Sequence, residues 1–194
     1  MNKYQRFWYT FLLTILPGGG RDVARFIRKH HLFGSIGRNC LIQQRKLPLY
    51  SNLIHLGNNV IVASHVGFVT HDFIHSMLNK KYGVKDFVER VGCIKIGDNV
   101  FIGSGTRVLY DTVIGNNVII GSDSLVNKDI PDNSVYAGVP ARYICSFDDY
   151  VEKVRLYSSA FRSAFPDVEA SLRGVVNDSL AISLYEDFLS RHHC

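Results

Sequence analysis

Ile96 to Ile130 read IGDNVFIGSGTRVLYDTVIGNNVIIGSDSLVNKDI, and the spacing within this stretch decides the fold. An aliphatic residue returns every six positions, at Ile96, Ile102, Val108, Ile114, Ile120 and Val126. Small or β-branched residues follow four positions later, at Val100, Thr106, Thr112 and Val118, with Ser124 and Ile130 completing the series. A helix repeats every ~3.6 residues and a half-buried strand every 2, so neither produces this period. An antiparallel sandwich would instead show strict alternation and hairpin loops of varied length. The pattern predicts an all-β solenoid: short parallel strands with a turn after each, three hexads or 18 residues to a lap, and two inward side chains per hexad. Gly97, Gly103, Gly115 and Gly121, with Asp98-Asn99 and Asn116-Asn117, are the residues expected to take the left-handed or tight conformations of those turns.

Working outward, Leu56 to Phe68 follows the same template and Ile36 to Ile42 begins an earlier lap. Between the blocks, residues 66–75 read VGFVTHDFIH, and His71 stands where the hexads stop. The segment from Phe73 to Gly92 has no place in the coil. It carries Lys80, Lys81, Lys85, Glu89 and Arg90, so it is expected to project as an exposed loop. Three segments result: an N-terminal helical segment 1–35, a coil 36–145 interrupted by the 73–92 loop, and a C-terminal helical segment 146–194. Phe147 to His193 shows helical spacing, and a helix after Pro140 is expected to cap the open strand edges of the solenoid. At the other end, the apolar run WYTFLLTIL (8–16) follows Lys3 and Arg6 but meets Pro17 far short of the ~20 residues that span a bilayer. After Pro17-Gly18-Gly19-Gly20, the stretch from Asp22 to His31 resumes a helical pattern with Val23, Phe26 and Ile27 on one face. Two short helices joined by a glycine turn are predicted. Packing on the main body or a neighbouring subunit, or peripheral contact with a membrane headgroup layer, are the two roles left open for them.

A chain of 194 residues, 46% hydrophobic and 20% charged, suits one folded domain with a small appendage. The net charge of +5 favours an anionic partner, which could be a phosphorylated cofactor, a membrane surface or nucleic acid. Nucleic acid is disfavoured because the basic residues are dispersed and no aromatic-basic motif occurs. Cys40, Cys93, Cys145 and Cys194 are scattered without a C-x-x-C pair, which points to reduced thiols in a cytoplasmic protein rather than disulfides or structural zinc.

The hexads, followed by NSVYAGVPARYI (133–144), resemble the hexapeptide-repeat acyltransferases, and VTHD with an inserted loop is similar to the maltose, galactoside, xenobiotic and polysaccharide O-acetyltransferases of that group. The resemblance covers about residues 36–147. It implies a left-handed parallel β-helix, a homotrimer with the cofactor groove between two coils, and transfer of acetyl from acetyl-CoA to a saccharide hydroxyl, such as a precursor of a surface polysaccharide. Because a hydroxyl attacks a thioester only as its proton is removed, and a neutral imidazole removes protons near pH 7, His71 is the candidate general base. The resemblance places Gly103 and Ser104 near the thioester carbonyl, Gly121 and Ser122 on the pantetheine arm, and Lys128 and Arg142 near the phosphates of coenzyme A. Phe101 stands where many relatives carry Trp, which weakens stacking on the cofactor. Asn52, Asp72 and His75 are candidates for the acceptor, with Asp72 either an orienting carboxylate or a turn former, while His65 reads as a surface or subunit-contact residue. No metal is expected. The rival readings are an N-acetyltransferase on an amino sugar, a non-catalytic trimeric scaffold, and a zinc hydratase, whose three converging histidines the spacing of His65, His71 and His75 does not supply.

Overall fold

The structure is a computed structural model that describes residues 3–165, 176 and 178–192. The first compact unit runs to Asp148. It opens with helices α1 (Lys3–Ile15) and α2 (Gly20–Lys29). At the start of α2 the Asp22 carboxylate accepts the Gly19 N–H at 3.0 Å, and Arg28 and Lys29 lie in its last turn, where cations suit the helix dipole. Its buried stripe, Val23, Ala24 and Ile27, joins the main core, and Arg28 donates to the carbonyls of Ile36 and Gly37. The two helices therefore belong to the body of this unit.

The chain then coils. One parallel sheet stacks β1 (Ser35–Ile36), β3 (Ile54–Leu56), β6 (Ile94–Ile96) and β9 (Thr112–Ile114). A second stacks β2 (Leu41–Ile42), β4 (Val60–Val62), β7 (Val100–Ile102), β10 (Val118–Ile120), β12 (Ser134–Ala137) and β13 (Arg142–Ser146). A third holds β5 (Gly67–Val69), β8 (Arg107–Leu109) and β11 (Leu125–Val126). From β3 to β11 successive strands visit the three sheets in turn, which makes a three-sided parallel coil. Among the described residues every strand pairing is parallel except β12 with β13, apart from one isolated antiparallel bridge. The hexad positions are the core: Ile96, Ile102, Val108, Ile114, Ile120 and Val126 are all at most 2% exposed. Thr106, Thr112 and Ser124 are equally buried, and Thr106 and Ser124 turn their hydroxyls back to the Gly121 carbonyl at 3.1 and 2.7 Å. Such local bonds let a hydroxyl occupy an apolar interior.

The corners differ from the sequence expectation. The left-handed residue is the second member of each Asn or Asp pair, at Asn59, Asn99, Asn117 and Asn133, with φ of 54 to 57°. Their amides form a ladder along one edge, Asn59 to Asn99, Asn99 to Asn117 and Asn117 to Asn133, at 2.8 to 3.0 Å. The first member caps the preceding lap. Asn58 N–H donates to Asp98 Oδ1 at 2.7 Å, Asp98 N–H to Asn116 Oδ1 at 2.8 Å, and Asn116 N–H to Asp132 Oδ1 at 2.8 Å. Gly97 and Gly103 have ordinary φ and serve another need. A Cβ on Gly103 would lie 2.5 Å from the Ser122 nitrogen and one on Gly97 2.7 Å from the Gly115 carbonyl oxygen, so stacked laps leave no room for a side chain.

Three further expectations are corrected. Residues 73–92 are largely exposed, as expected, but they are not loop throughout, because Ile74–Tyr82 form helix α3, with the Gly83 C-cap at φ 67°. The lap length varies: 20 residues at the first lap, 40 at the lap that carries the excursion, 18 at the next and 16 at the last. A helix does follow Pro140, from Phe147, but β13 comes first, and this antiparallel strand lies against β12 at the sheet edge, where a helical cap was expected. Pairing the edge with a reversed strand satisfies its backbone groups directly.

The second unit begins at Asp149. It contains most of α4 (Phe147–Ala164) and all of α5 (Asp178–His192). Aromatic rings run along α4 from Tyr157 to Phe161 to Phe165, with centroids 5.7 and 5.0 Å apart. His193 and Cys194 lie outside the described residues.

Candidate active site

The neck where the excursion leaves the coil positions His71. β5 ends at Val69, the Thr70 carbonyl accepts the Gly92 N–H at 3.0 Å, and His71 pairs with Val91 in a single antiparallel bridge. The Asp72 N–H donates to the Arg90 carbonyl at 3.1 Å. Outgoing and returning strands thus hold one another, and the half-buried imidazole sits on a fixed backbone at a coil corner. Its ring meets Tyr50 edge-on at 5.5 Å on one side and Phe73 at 5.7 Å on the other. His71 Nδ1 is buried and finds no hydrogen-bond partner among the described residues. The ring also lines a cavity of about 910 Å³, whose wall includes Leu47, Leu49, Phe68 and Val69.

Asp72 is committed on both oxygens. Tyr110 Oη donates to Oδ2 at 2.8 Å and the Ile74 N–H donates to Oδ1 at 3.1 Å, which ties the first turn of α3 to the coil. The Tyr110 hydroxyl bond, aided by the Ile74 N–H and the Arg90 charge, lowers the Asp72 carboxyl below its ordinary value, and the same bond raises the Tyr110 phenol. Arg90 lies over the Tyr110 ring at 4.8 Å. Tyr50 donates to Glu89 Oε2 at 2.8 Å, which raises the Tyr50 phenol, so a second bond ties the returning strand to the first lap.

The other candidates lie apart from His71. His75 stacks on Phe73 at 5.7 Å but does not line the cavity. Asn52 is exposed on the short turn Ser51–Leu53. Ser104 and Ser122 are exposed at stacked corners joined by the Asp123 N–H to Ser104 carbonyl bond of 2.7 Å. Gly103 and Gly121 sit beside them, with N–H groups given to the carbonyls of Ile120 and Tyr136. Lys128 and Arg142 are brought together, since both line a separate cavity of about 300 Å³ between β11 and β13. Two cations beside one hollow fit a phosphorylated group. His65 is exposed at a corner in the left-handed region, φ 61°, and it does line the large cavity. Among the described residues no group of three His, Cys, Asp or Glu side chains could hold a metal ion.

Sequence reasoning missed Tyr50, Glu89, Tyr110 and Arg107. Tyr50 and Tyr110 reach the neck from neighbouring laps. Arg107 lines the cavity and donates to the carbonyls of His65 and Gly105 at 2.7 and 3.0 Å. Its only signal is negative: a long cation beside Gly67, where a Cβ would strike the Arg107 side chain at 2.7 Å.

Comparison with known proteins gives the family. The family model described as bacterial transferase hexapeptide (six repeats) matches residues 93–128. YJL218W of Saccharomyces cerevisiae, which carries an acetyltransferase assignment, is 33% identical over 151 residues, covering 68% of this chain and 74% of the relative. The galactoside O-acetyltransferase of Escherichia coli K12 is 37% identical over 115 residues, 59% of this chain and 54% of the relative. A solved galactoside acetyltransferase in complex with coenzyme A superposes with a TM-score of 0.58 at 25% identity, covering 77% of this chain and 82% of that one. The chain belongs to the hexapeptide-repeat acetyltransferases. It spans about half the length of the first curated relatives it matches.

Proposed function

We propose that this chain is an acetyl-CoA-dependent O-acetyltransferase acting on a saccharide hydroxyl, with His71 as general base. The observation that carries the reading is the His71 ring, held at the neck of the excursion and facing a cavity large enough for a sugar. The thioester supplies the acetyl group. His71 takes the hydroxyl proton as the acceptor oxygen attacks, and Tyr50 and Phe73 flank the ring so that its orientation is limited. Asp72 acts by position, anchoring α3 beside the site through Tyr110 and Ile74. Lys128 and Arg142 are the groups for the phosphates of coenzyme A, Gly103 and Ser104 lie near its thioester carbonyl and Gly121 and Ser122 along its pantetheine arm, with Asn52 and His75 at the acceptor side.

The coil is read as left-handed and the assembly as a homotrimer. Ser104 and Ser122 do not line the cavity that holds His71, so a site using both draws them from neighbouring chains. The three described cysteines are free, which suits the cytoplasm. No helix among the described residues is long and apolar enough to cross a membrane. Helix α1 nonetheless exposes Tyr4, Phe7, Trp8, Phe11 and Ile15 along one face, the composition of a peripheral membrane contact for an acceptor that is lipid-linked or destined for a surface polysaccharide.

The test is thiol release from acetyl-CoA against a saccharide library. His71→Ala lowers turnover by ~10²–10⁴-fold while acetyl-CoA binding by calorimetry stays close to wild type. Unchanged turnover in this variant would sink the assignment and favour the scaffold reading.

A further inference from the structure

The cavity that His71 lines has an uneven chemistry. Its wall carries four cations, Arg6, Arg45, Lys46 and Arg107, and no carboxylate. The whole chain has 22 Lys and Arg against 17 Asp and Glu, so a wall of one sign is not a reflection of composition. None of the four is ion-paired among the described residues. Arg45 donates to the carbonyls of Leu13, Leu16 and Gly18 at 2.7, 2.7 and 2.9 Å, and Arg107 to those of His65 and Gly105. Neutral carbonyls fix the direction of a guanidinium without cancelling its charge. These bonds hold two of the cations in place, and the hollow is left with uncompensated positive potential against apolar walls, where opposite charge is attracted more strongly than in open water.

The cations also come from separated parts of the chain. Arg6 is on α1, Arg45 and Lys46 follow β2 in the long first lap, and Arg107 opens β8. They line the same cavity as His71, and they are distinct from Lys128 and Arg142 in their own cavity. A second anion-binding wall at the base is therefore available to the acceptor rather than to the phosphates of coenzyme A.

We infer that the acceptor is an anionic saccharide, bearing a carboxylate or a phosphate, whose charge is held by Lys46, Arg6, Arg45 and Arg107 while a neighbouring hydroxyl faces His71. This assignment rests on the acetyltransferase reading and narrows it to a substrate class. It also gives α1 a place in acceptor binding.

The experiment uses the full chain and matched acceptors: galactose against galacturonate and galactose 1-phosphate, and glucose against glucuronate and glucose 1-phosphate. Binding is read by saturation-transfer NMR without acetyl-CoA, and turnover by thiol release. The expected result is that one charged class, uronate or phosphate, binds and reacts at least ~10-fold better than its neutral partner, with the advantage shrinking as salt rises. Lys46→Glu, an exposed position, should lower kcat/KM for the charged acceptor by ~10-fold and leave KM for acetyl-CoA unchanged, and Arg6→Glu should repeat the effect from α1. Uronate and phosphate arms tell the two sources of charge apart. Equal or better use of neutral sugars, no preferential binding of either charged class, or a Lys46→Glu defect in acetyl-CoA KM instead, overturns the inference. Charged sugars that bind preferentially without thiol release would leave this assignment standing and overturn the acetyltransferase reading.

Discussion

At the scale of single residues, the corners show how one side-chain amide does two tasks. Asn99 holds φ 57° and also receives the Asn59 amide at 2.9 Å while donating to Asn117 at 3.0 Å. A left-handed residue with a Cβ costs roughly 1–2 kcal/mol, a cost that Asn offsets with local hydrogen bonds. Replacement separates the two tasks. Asn99→Ala should lose stability by about 2 kcal/mol, from strain and the broken ladder together, whereas Asn99→Gly keeps the φ and loses only the ladder, about 1 kcal/mol. Urea unfolding of both variants checks the order, and equal losses would show that strain is unimportant there. His71 obeys a similar logic of placement, since its backbone is pinned by the neck and its ring by Tyr50 and Phe73.

At the scale of the element, each lap is closed on its neighbour by a side-chain oxygen taking a backbone N–H. Two of those oxygens belong to Asp98 and Asp132, and bonds from the N–H and amide of Asn58 and of Asn116 hold both carboxyls below their ordinary value. A carboxyl lowered in the folded state contributes stability above its unfolded value and loses it as pH falls through the folded one. Acid should therefore weaken the coil below about pH 4, where the unfolded carboxyls begin to bind protons first. Asn58 and Asn116 occupy the same register and cap in the same way without ionising. The double variant Asp98→Asn, Asp132→Asn should thus show a flatter fall of Tm between about pH 5 and 3 than the parent. An identical acid limb in the two proteins would rule out these carboxylates as its source.

At the scale of the whole molecule, the coil was legible because its core repeats. Every lap offers the same narrow interior, so the aliphatic positions recur in sequence as they do in space, from Ile96 to Ile130. His71 was legible because it stands where that repetition stops. Tyr50, Tyr110 and Arg107 were not, because their approach to the site depends on which laps become neighbours across the excursion, and Gly67 pairs with Arg107 only after 40 residues. The edge strand β13 was hidden for a related reason: Arg142 to Ser146 alternates too briefly to announce its direction. The proposal that neighbouring chains share the site yields a test of its own. Inactive His71→Ala chains mixed and refolded with inactive Ser104→Trp chains should regain activity in about a quarter of sites if neighbours supply the two residues. No recovery, with a monomer mass by sedimentation, would place the whole site within one chain.

The neck between Thr70 and Gly92 has a further consequence. Strands before and after it stay in register, as Ile54 with Ile94 and Val60 with Val100 show, so the scaffold does not register how many residues lie beyond it. Such a joint behaves as a socket: a different peptide whose two ends meet at hydrogen-bond distance can be plugged in without disturbing the hydrophobic interior. Kindred scaffolds can then trade the segment between Asp72 and Arg90 as one contiguous gene fragment, and selection can remodel the excursion while the coil beneath it stays put.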